Sequence, residues 1–145
     1  TFIQPTQELR SQGVRMKLSA VSSIVNNKRV IMIDDSIVRG TTSKRIVKLL
    51  KDAGAKEVHV RIASPAIKYP CFYGVDTSTQ SELISHKMDV HELCQYIGAD
   101  SLYFISEEGI KKSIHFKKEH TCDLCMACFN GHYVTSLYEN EVERD

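Results

Sequence analysis

The spacing of apolar residues along the chain predicts an α/β fold. Residues 30–33 form an uninterrupted aliphatic and methionine run bounded by charge, which is typical of a strand buried on both faces inside a parallel sheet. Apolar positions then recur with helical period through residues 43–53, and Gly54 fits the C-terminal cap of that helix. Strand, loop and helix in this order are the repeating unit of an α/β protein.

The segments that follow extend this pattern. Residues 57–64 begin with strict alternation of apolar and polar positions and predict a second strand, parallel to the first and joined to it by a right-handed crossover. A capping sequence at residues 89–92 opens a helix that ends near Gly98. A short strand at 101–105 and a helix at 107–114 complete the α/β part of the chain.

The chain divides into two parts of different character. Residues 1–114 contain no internal repeat, low-complexity segment or interdomain linker, and they predict one domain with a parallel sheet flanked by helices. Within that domain, residues 1–19 show no sustained period and predict a flexible loop. Residues 115–145 contain a cluster of cysteines and predict a Cys-rich C-terminal tail.

Composition and charge narrow the classes of protein to which the chain can belong. Of the 145 residues, 42% are hydrophobic and the net charge is +1, which fits a globular chain with a core. Lysines and acids are interspersed without a basic stripe, so no nucleic-acid partner is expected. The longest apolar run is far shorter than the roughly 20 residues that cross a bilayer, and the N-terminus lacks the layout of a signal peptide. We therefore expect no membrane contact and a cytoplasmic setting.

Two adjacent carboxylates follow the first strand directly. Asp34 and Asp35 lie beyond the carboxyl end of a strand, where open α/β sheets place their ligands. Gly40 can adopt a positive φ and let the backbone approach an anion, and Thr41 or Thr42 can cap the helix with a hydroxyl. The helix start would then bind phosphate, and the acids would hold hydroxyls or a metal ion. The alternative is an ordinary strand-to-helix turn in which the two acids cap the helix.

The sequence of this loop resembles that of a known family. An apolar strand followed by Asp-Asp-Ser-Ile-Val-Arg-Gly-Thr-Thr resembles the loop with which type I phosphoribosyltransferases bind 5-phosphoribosyl 1-pyrophosphate (PRPP). With residues 1–5 and the segment Pro-Cys-Phe-Tyr-Gly-Val-Asp at 70–76, nearly the whole chain is similar to the iron–sulfur branch of the glutamine PRPP amidotransferase family. The resemblance implies a partial type I phosphoribosyltransferase fold.

The resemblance also assigns roles to residues of the loop. Asp34 and Asp35 would contact the 2- and 3-hydroxyls of the ribose or their Mg²⁺ ion. The residues that would wrap the 5-phosphate are Ser36, Ile37, Val38, Arg39, Gly40, Thr41 and Thr42. Residues 1–19 resemble a loop that closes over PRPP, which would place Arg15 and Lys17 near the pyrophosphate. The alternative for these two residues is a solvated basic turn.

The family implies parts that have no counterpart in this sequence. Because the chain begins at Thr1 and its first residues resemble the interior of the family, we expect a piece of a longer enzyme. An N-terminal glutaminase domain, which would release ammonia, and an upstream pyrophosphate-binding loop are the missing parts. The full-length protein is expected to be a homo-oligomer that binds PRPP and purine nucleotides.

The tail contains Cys122, Cys125 and Cys128 at three-residue spacing. Spacing alone leaves open a zinc or iron–sulfur centre, unligated thiols, and disulfide or redox use. The resemblance implies a [4Fe–4S] cluster held by Cys71, Cys125 and Cys128, with Cys122 as a spare neighbour. Cys122 and Cys125 are the alternative bound pair. The fourth ligand of the family lies upstream of this sequence.

The family's cluster looks structural rather than catalytic. The long separation of its cysteines from Asp34 in sequence agrees with that role. Cys94 occupies the apolar phase of the helix that follows residue 89, so we predict that it is a small buried hydrophobic residue.

Three functions follow from these observations. The first is the phosphoribosyltransferase portion of an amidotransferase, in which ammonia displaces pyrophosphate from PRPP and gives 5-phosphoribosylamine, the first step of purine synthesis. The isolated chain is expected to be inactive or active only with added ammonia. The second is a noncatalytic regulator that senses PRPP or nucleotides on the same fold. The third is a small iron–sulfur or zinc module whose α/β part is only a scaffold.

Overall fold

Three parallel strands form the sheet around which the chain folds. The computed structural model describes residues 19–77, 79–114 and 124–135. Within them, β1 (Arg29–Asp34), β2 (Glu57–Ile62) and β3 (Ser101–Phe104) pair in the order β1-β2-β3. Asp34 lies opposite Ile62, which lies opposite Phe104. The carboxyl ends of all three strands therefore meet at one edge of the sheet, and the predicted parallel arrangement is confirmed.

Short and long helices connect and follow the strands. The helices are α1 (Ser22–Val25), α2 (Thr41–Asp52), α3 (Ile84–Lys87), α4 (Val90–Ile97), α5 (Glu107–Ser113) and α6 (Ala127–Asn130), with a 3₁₀ turn at Gln80–Glu82. In α4 the predicted capping pattern is present, since the Asp89 carboxylate accepts from the Glu92 N–H at 2.8 Å and Glu92 accepts from the Asp89 N–H at 3.0 Å. No helix in the described ranges is long and apolar enough to cross a membrane.

The core lies between one face of the sheet and the helices α2 and α4. In β2 the buried residues alternate with partly exposed ones, as the sequence pattern predicted. The buried apolar residues of this core are Met32, Ile37, Val47, Val58, Val60, Ile62, Leu93, Ile97 and Leu102. Removal of this apolar surface from water is the main term that stabilises the fold.

One face of β1 is exposed, which corrects the expectation of a strand buried on both faces. Ile31 and Ile33 are 65% and 76% exposed, whereas Met32 between them is 8% exposed. β1 lies at the edge of the described sheet, and the packed core of α2 and α4 covers the face that Met32 occupies. An apolar run in the sequence reports which residues can be buried, but not whether the described chain supplies a layer that covers them.

The start of α2 also differs from the prediction. Gly40 is the N-cap residue, with φ of 73°, and no side chain accepts a hydrogen bond at this cap. The expectation that Thr41 or Thr42 caps the helix is therefore wrong, because α2 begins at Thr41 and the chain turns at Gly40. The predicted positive φ of Gly40 is confirmed. At the other end of the helix, Gly54 follows the C-cap residue with φ of 96°, as expected.

Two glycines with left-handed backbone allow a test of packing beside the loop. Gly40 and Gly98 have φ of 73° and 76°. A Cβ on Gly40 would lie 3.3 Å from Tyr96 Cε1 and 3.4 Å from Ile84 Cδ1, whereas one on Gly98 would meet nothing within 4 Å. We predict that Gly98→Ala lowers the free energy of unfolding by about 1 kcal/mol through backbone strain, and that crowding makes Gly40→Ala cost about 1 kcal/mol more. Urea unfolding followed by circular dichroism measures both losses. Equal losses would contradict tight packing at Gly40.

Candidate functional site

A cavity of about 590 Å³ opens at the carboxyl edge of the sheet. One wall is the continuous run from Asp34 to Ser43, which includes every loop residue singled out from the sequence. The other wall comes from residues distant in sequence: Ile67, Cys71, Val75, Thr77 and Cys128. The acids and the proposed phosphate loop therefore face a single space, as the sequence interpretation requires.

The two acids stand side by side at the end of β1. The N–H of Asp35 donates to Asp34 Oδ1 at 3.0 Å, and the hydroxyl of Ser36 donates to Asp35 Oδ1 at 3.2 Å. Burial raises the pKa of the Asp34 carboxyl, the charge of Asp35 raises it further, and the hydrogen bond from the Asp35 N–H opposes both. A Mg²⁺ ion is commonly held by one or two carboxylates together with substrate phosphates. The donor chemistry of this pair fits such an ion.

The loop between β1 and α2 is held in place by the core and by residues 82–84. Ile37 is 1% exposed and belongs to the core. The carbonyl of Val38 accepts from the Ile84 N–H at 2.9 Å, and the guanidinium of Arg39 forms an ion pair with the carboxylate of Glu82. The loop is thus fixed by the core and by the segment that contains the 3₁₀ turn.

Glu82 and Ile84 were not identified from the sequence. The contact between Arg39 and Glu82 joins residues 43 positions apart, and a lone acid in a turn carries no local signal of such a contact. The positive charge of Arg39 was visible in the sequence, but its partner could be found only from the fold.

Residues of the described range 124–135 contact the second wall of the cavity. The carbonyl of Cys128 accepts from the N–H groups of Lys68 and Tyr69, at 3.0 and 3.1 Å. The hydroxyl of Tyr133 donates to the Pro70 carbonyl at 2.7 Å, and its ring lies 5.3 Å from that of Phe72. These contacts bring Cys128 to the same cavity wall as Cys71.

The structure brings two of the cysteines to the same cavity as the acids. Cys71 and Cys128 line this cavity together with Asp34, although they are far from Asp34 in sequence. The structural rather than catalytic role expected for the cluster stays a prediction. Cys94 lies elsewhere, packed against the core, and its thiol donates to the Ala99 carbonyl at 3.3 Å. It is only partly buried, so the prediction of a buried residue is confirmed in part.

The thiols of Cys71 and Cys125 lie near enough to that of Cys128 to interact with it electrostatically. Burial raises the pKa of the Cys128 thiol to about 11, and the nearby thiols of Cys71 and Cys125 contribute to the rise. Nevertheless, within the described ranges no group of three or more His, Cys, Asp or Glu side chains is arranged to hold a metal ion. The thiols are therefore close, but they do not form a ready coordination site.

Three residues named from the sequence lie outside the part of the chain that the structure describes. These are Arg15, Lys17 and Cys122. The proposed roles of the first two at the pyrophosphate, and of the third as a spare thiol, stay predictions.

Comparison with known proteins finds that the chain is similar to part of a group of bacterial enzymes. No family model matches the chain. The chain is 59% identical over 143 residues to the amidophosphoribosyltransferase of Bacillus subtilis, and 56% identical over 142 residues to that of Staphylococcus aureus. These matches include 98% and 97% of the chain, but only 30% and 29% of the relatives. The chain thus spans about 30% of the length of the curated relatives it matches.

Solved structures agree with the fold. The glutamine PRPP amidotransferase of B. subtilis complexed with ADP and GMP matches 95% of the chain and 30% of its own length, with a TM-score of 0.79 and 59% identity. A structure described as the allosteric regulatory enzyme of purine biosynthesis matches 97% of the chain and 30% of its own length, with a TM-score of 0.77 and 57% identity. The phosphoribosyltransferase type of α/β fold is thereby confirmed.

The raised pKa of Asp34 generates a prediction about stability. Its ionised form is disfavoured where the chain is folded, and an Asn at this position keeps an oxygen for the Asp35 N–H. We predict that Asp34→Asn raises the free energy of unfolding near neutral pH by less than about 1 kcal/mol, since the side chain is only half-buried. The gain should shrink as the pH falls through the raised pKa, because the parent carboxyl then becomes protonated and loses the penalty.

Thermal unfolding of both proteins across the acidic range measures this effect. Asp52→Asn is the matched control, since Asp52 is exposed and pairs with Lys48 at 2.9 Å, so its loss should bring no gain. A loss of stability for Asp34→Asn at neutral pH, or a gain independent of pH, would contradict the role of burial.

Proposed function

We propose that the chain is the phosphoribosyltransferase portion of an enzyme that forms 5-phosphoribosylamine, because nearly its whole length matches amidophosphoribosyltransferases. In this reaction ammonia displaces pyrophosphate from PRPP at the start of purine biosynthesis. The observation that carries the proposal is the cavity that Asp34, Asp35 and the loop up to Thr42 line together.

The cavity wall formed by residues 34–43 offers carboxylates at one end and a phosphate-binding backbone at the other. Each suits one end of a phosphorylated pentose. The carboxylates of Asp34 and Asp35 suit the ribose hydroxyls, because ionised acceptors form strong hydrogen bonds with hydroxyl donors. The residues from Ser36 to Thr42 suit the 5-phosphate, because the backbone turns at Gly40 into the start of a helix. The cavity volume lies within the range usual for small-molecule sites.

Displacement at the anomeric carbon requires positioning more than a protein nucleophile. The carbon gains positive charge as pyrophosphate leaves, and Asp34 would stabilise that charge by proximity. When bound, Mg²⁺ supplies positive charge that neutralises the leaving pyrophosphate. Arg15 and Lys17 are proposed to contact the same pyrophosphate and to belong to a loop that closes over PRPP and excludes water.

Partners of the full-length protein follow from the same proposal. A glutaminase domain, in the part of the relatives' length that this chain does not match, would supply ammonia. The assembled protein would be a homo-oligomer. The B. subtilis relative was solved in complex with ADP and GMP, which supports purine nucleotides as ligands of this chain as well. Without the glutaminase part, the chain is expected to be inactive or to use only added ammonia.

An iron–sulfur centre is a separate part of the proposal. Cys71, Cys125 and Cys128 are its proposed ligands, and their mutual influence on the pKa of Cys128 supports their closeness. Since the described side chains do not form a ready coordination site, cluster assembly would require the thiols to move together and a further ligand to join them. No step of the reaction is assigned to this centre.

Titration calorimetry with PRPP and Mg²⁺ tests the sugar-phosphate site. We predict that Asp35→Asn weakens PRPP binding by about tenfold or more, because a charged acceptor of ribose hydroxyls or Mg²⁺ is lost. Asp52→Asn, on the exposed face of α2, should bind like the parent. Equal binding by the parent and Asp35→Asn would contradict the proposal. PRPP binding without ammonia-dependent pyrophosphate release by the full-length protein would favour the noncatalytic sensor.

Anaerobic purification of the full-length protein, followed by visible absorption and iron analysis, tests the thiol centre. We predict iron and a charge-transfer absorption in the parent and in Cys94→Ser, and the loss of both in Cys128→Ser. A colourless parent that lacks iron would contradict the cluster. One tightly bound zinc ion in that parent would identify a zinc site instead.

A further inference from the structure

The ion pair between Arg39 and Glu82 joins the phosphate loop to a part of the chain that does not touch the cavity. Arg39 lines the cavity, whereas Glu82 is not among the lining residues. The Arg39 side chain is 21% exposed and that of Glu82 is 49% exposed. Glu82 therefore does not line the ligand space itself, and its side chain reaches the cavity wall through Arg39.

A second contact from the same segment acts on the neighbouring loop residue. Ile84 follows Glu82 by two residues, and its N–H donates to the Val38 carbonyl at 2.9 Å. On either side of these contacts, Ile37 is buried in the core, and Tyr96 and Ile84 leave little room for a side chain at Gly40. Consecutive loop residues are thus held by burial, by a backbone hydrogen bond, by an ion pair and by close packing.

From this geometry we infer that Glu82 is a positioning residue for the phosphate loop. Its carboxylate holds the Arg39 guanidinium beside the 3₁₀ turn and so keeps the loop in the conformation that receives the ligand's phosphate. The inference rests on the proposed function, because it concerns binding of a phosphorylated pentose at the same cavity. It adds to that function a residue outside the binding motif.

Two opposing effects of Glu82 have to be weighed. Its negative charge repels a phosphate, but it lies outside the cavity wall, is half-exposed, and is screened by solvent and salt. Restraint of Arg39 and of the loop lowers the conformational entropy lost on binding, which raises affinity. Preorganisation is the larger effect for a carboxylate in this position, so loss of the ion pair should weaken binding.

Calorimetry of a double-mutant cycle with PRPP and Mg²⁺ tests this inference on the chain and on the full-length enzyme. We expect Glu82→Gln to weaken PRPP binding about three- to fivefold, the size of effect that a half-exposed ion pair supports. Glu82→Asp, which keeps the charge, should bind more nearly like the parent. In an Arg39→Ala background, Glu82→Gln should not weaken PRPP binding further, because the group that Glu82 positions is gone.

Glu108→Gln provides the matched control, since it removes the same charge from an exposed residue of α5 and should leave PRPP affinity unchanged. Unchanged or tighter binding by Glu82→Gln would overturn the inference, and so would equal weakening in both backgrounds. In each of these cases the parent still binds PRPP, so the proposed function stands. If the parent itself fails to bind PRPP, the proposed function and this inference are overturned together.

Discussion

Burial of Ile37 in the loop between β1 and α2 is the constraint on which the candidate site depends. The side chain is 1% exposed, and removal of an isoleucine from water stabilises the folded chain by about 2–3 kcal/mol. Because Ile37 points into the core, the backbone on either side of it has to follow the cavity edge. Asp34 and Asp35 then lie on one side of this residue and Gly40 on the other, all within a single wall. The contacts of Val38 and Arg39 with residues 82–84 fix the conformation that this burial makes possible.

The second wall depends on contacts between segments far apart in sequence. Residues 67–77 alone would form an irregular loop with backbone groups left to solvent. Cys128 accepts hydrogen bonds from Lys68 and Tyr69, and Tyr133 is buried with its hydroxyl on Pro70. Within the described residues 124–135, the contacts of Cys128 and Tyr133 therefore help to form the cavity wall. Cys128 has this structural role whether or not it binds a metal.

Local signals in the sequence predicted most of the fold, and long-range contacts account for what they missed. The positive φ of Gly40, the capping box at Asp89 and the parallel pairing of the strands follow from residue types at short spacing. The exposed side chains of Ile31 and Ile33 did not, because an apolar pattern carries no information about which layers are present to cover it. The pairing of Arg39 with Glu82 and the approach of the cysteines to Asp34 depend on how distant segments pack, and that is decided by the whole core.

The charge of the cavity indicates how recognition is divided between parts of the protein. Among the lining residues in the described chain, the charged side chains are Asp34, Asp35 and Arg39, and the ion pair with Glu82 offsets the charge of Arg39. A cavity with this balance is poorly suited to attract a highly anionic ligand by charge alone. Its donors and acceptors can instead select the shape of a sugar phosphate, through backbone geometry at one end and carboxylates at the other. For the proposed ligand, the positive charge that balances pyrophosphate must then come with the ligand as Mg²⁺ or from basic residues such as Arg15 and Lys17. Selection of the sugar phosphate and neutralisation of the leaving group would thus be carried out by different parts of the protein.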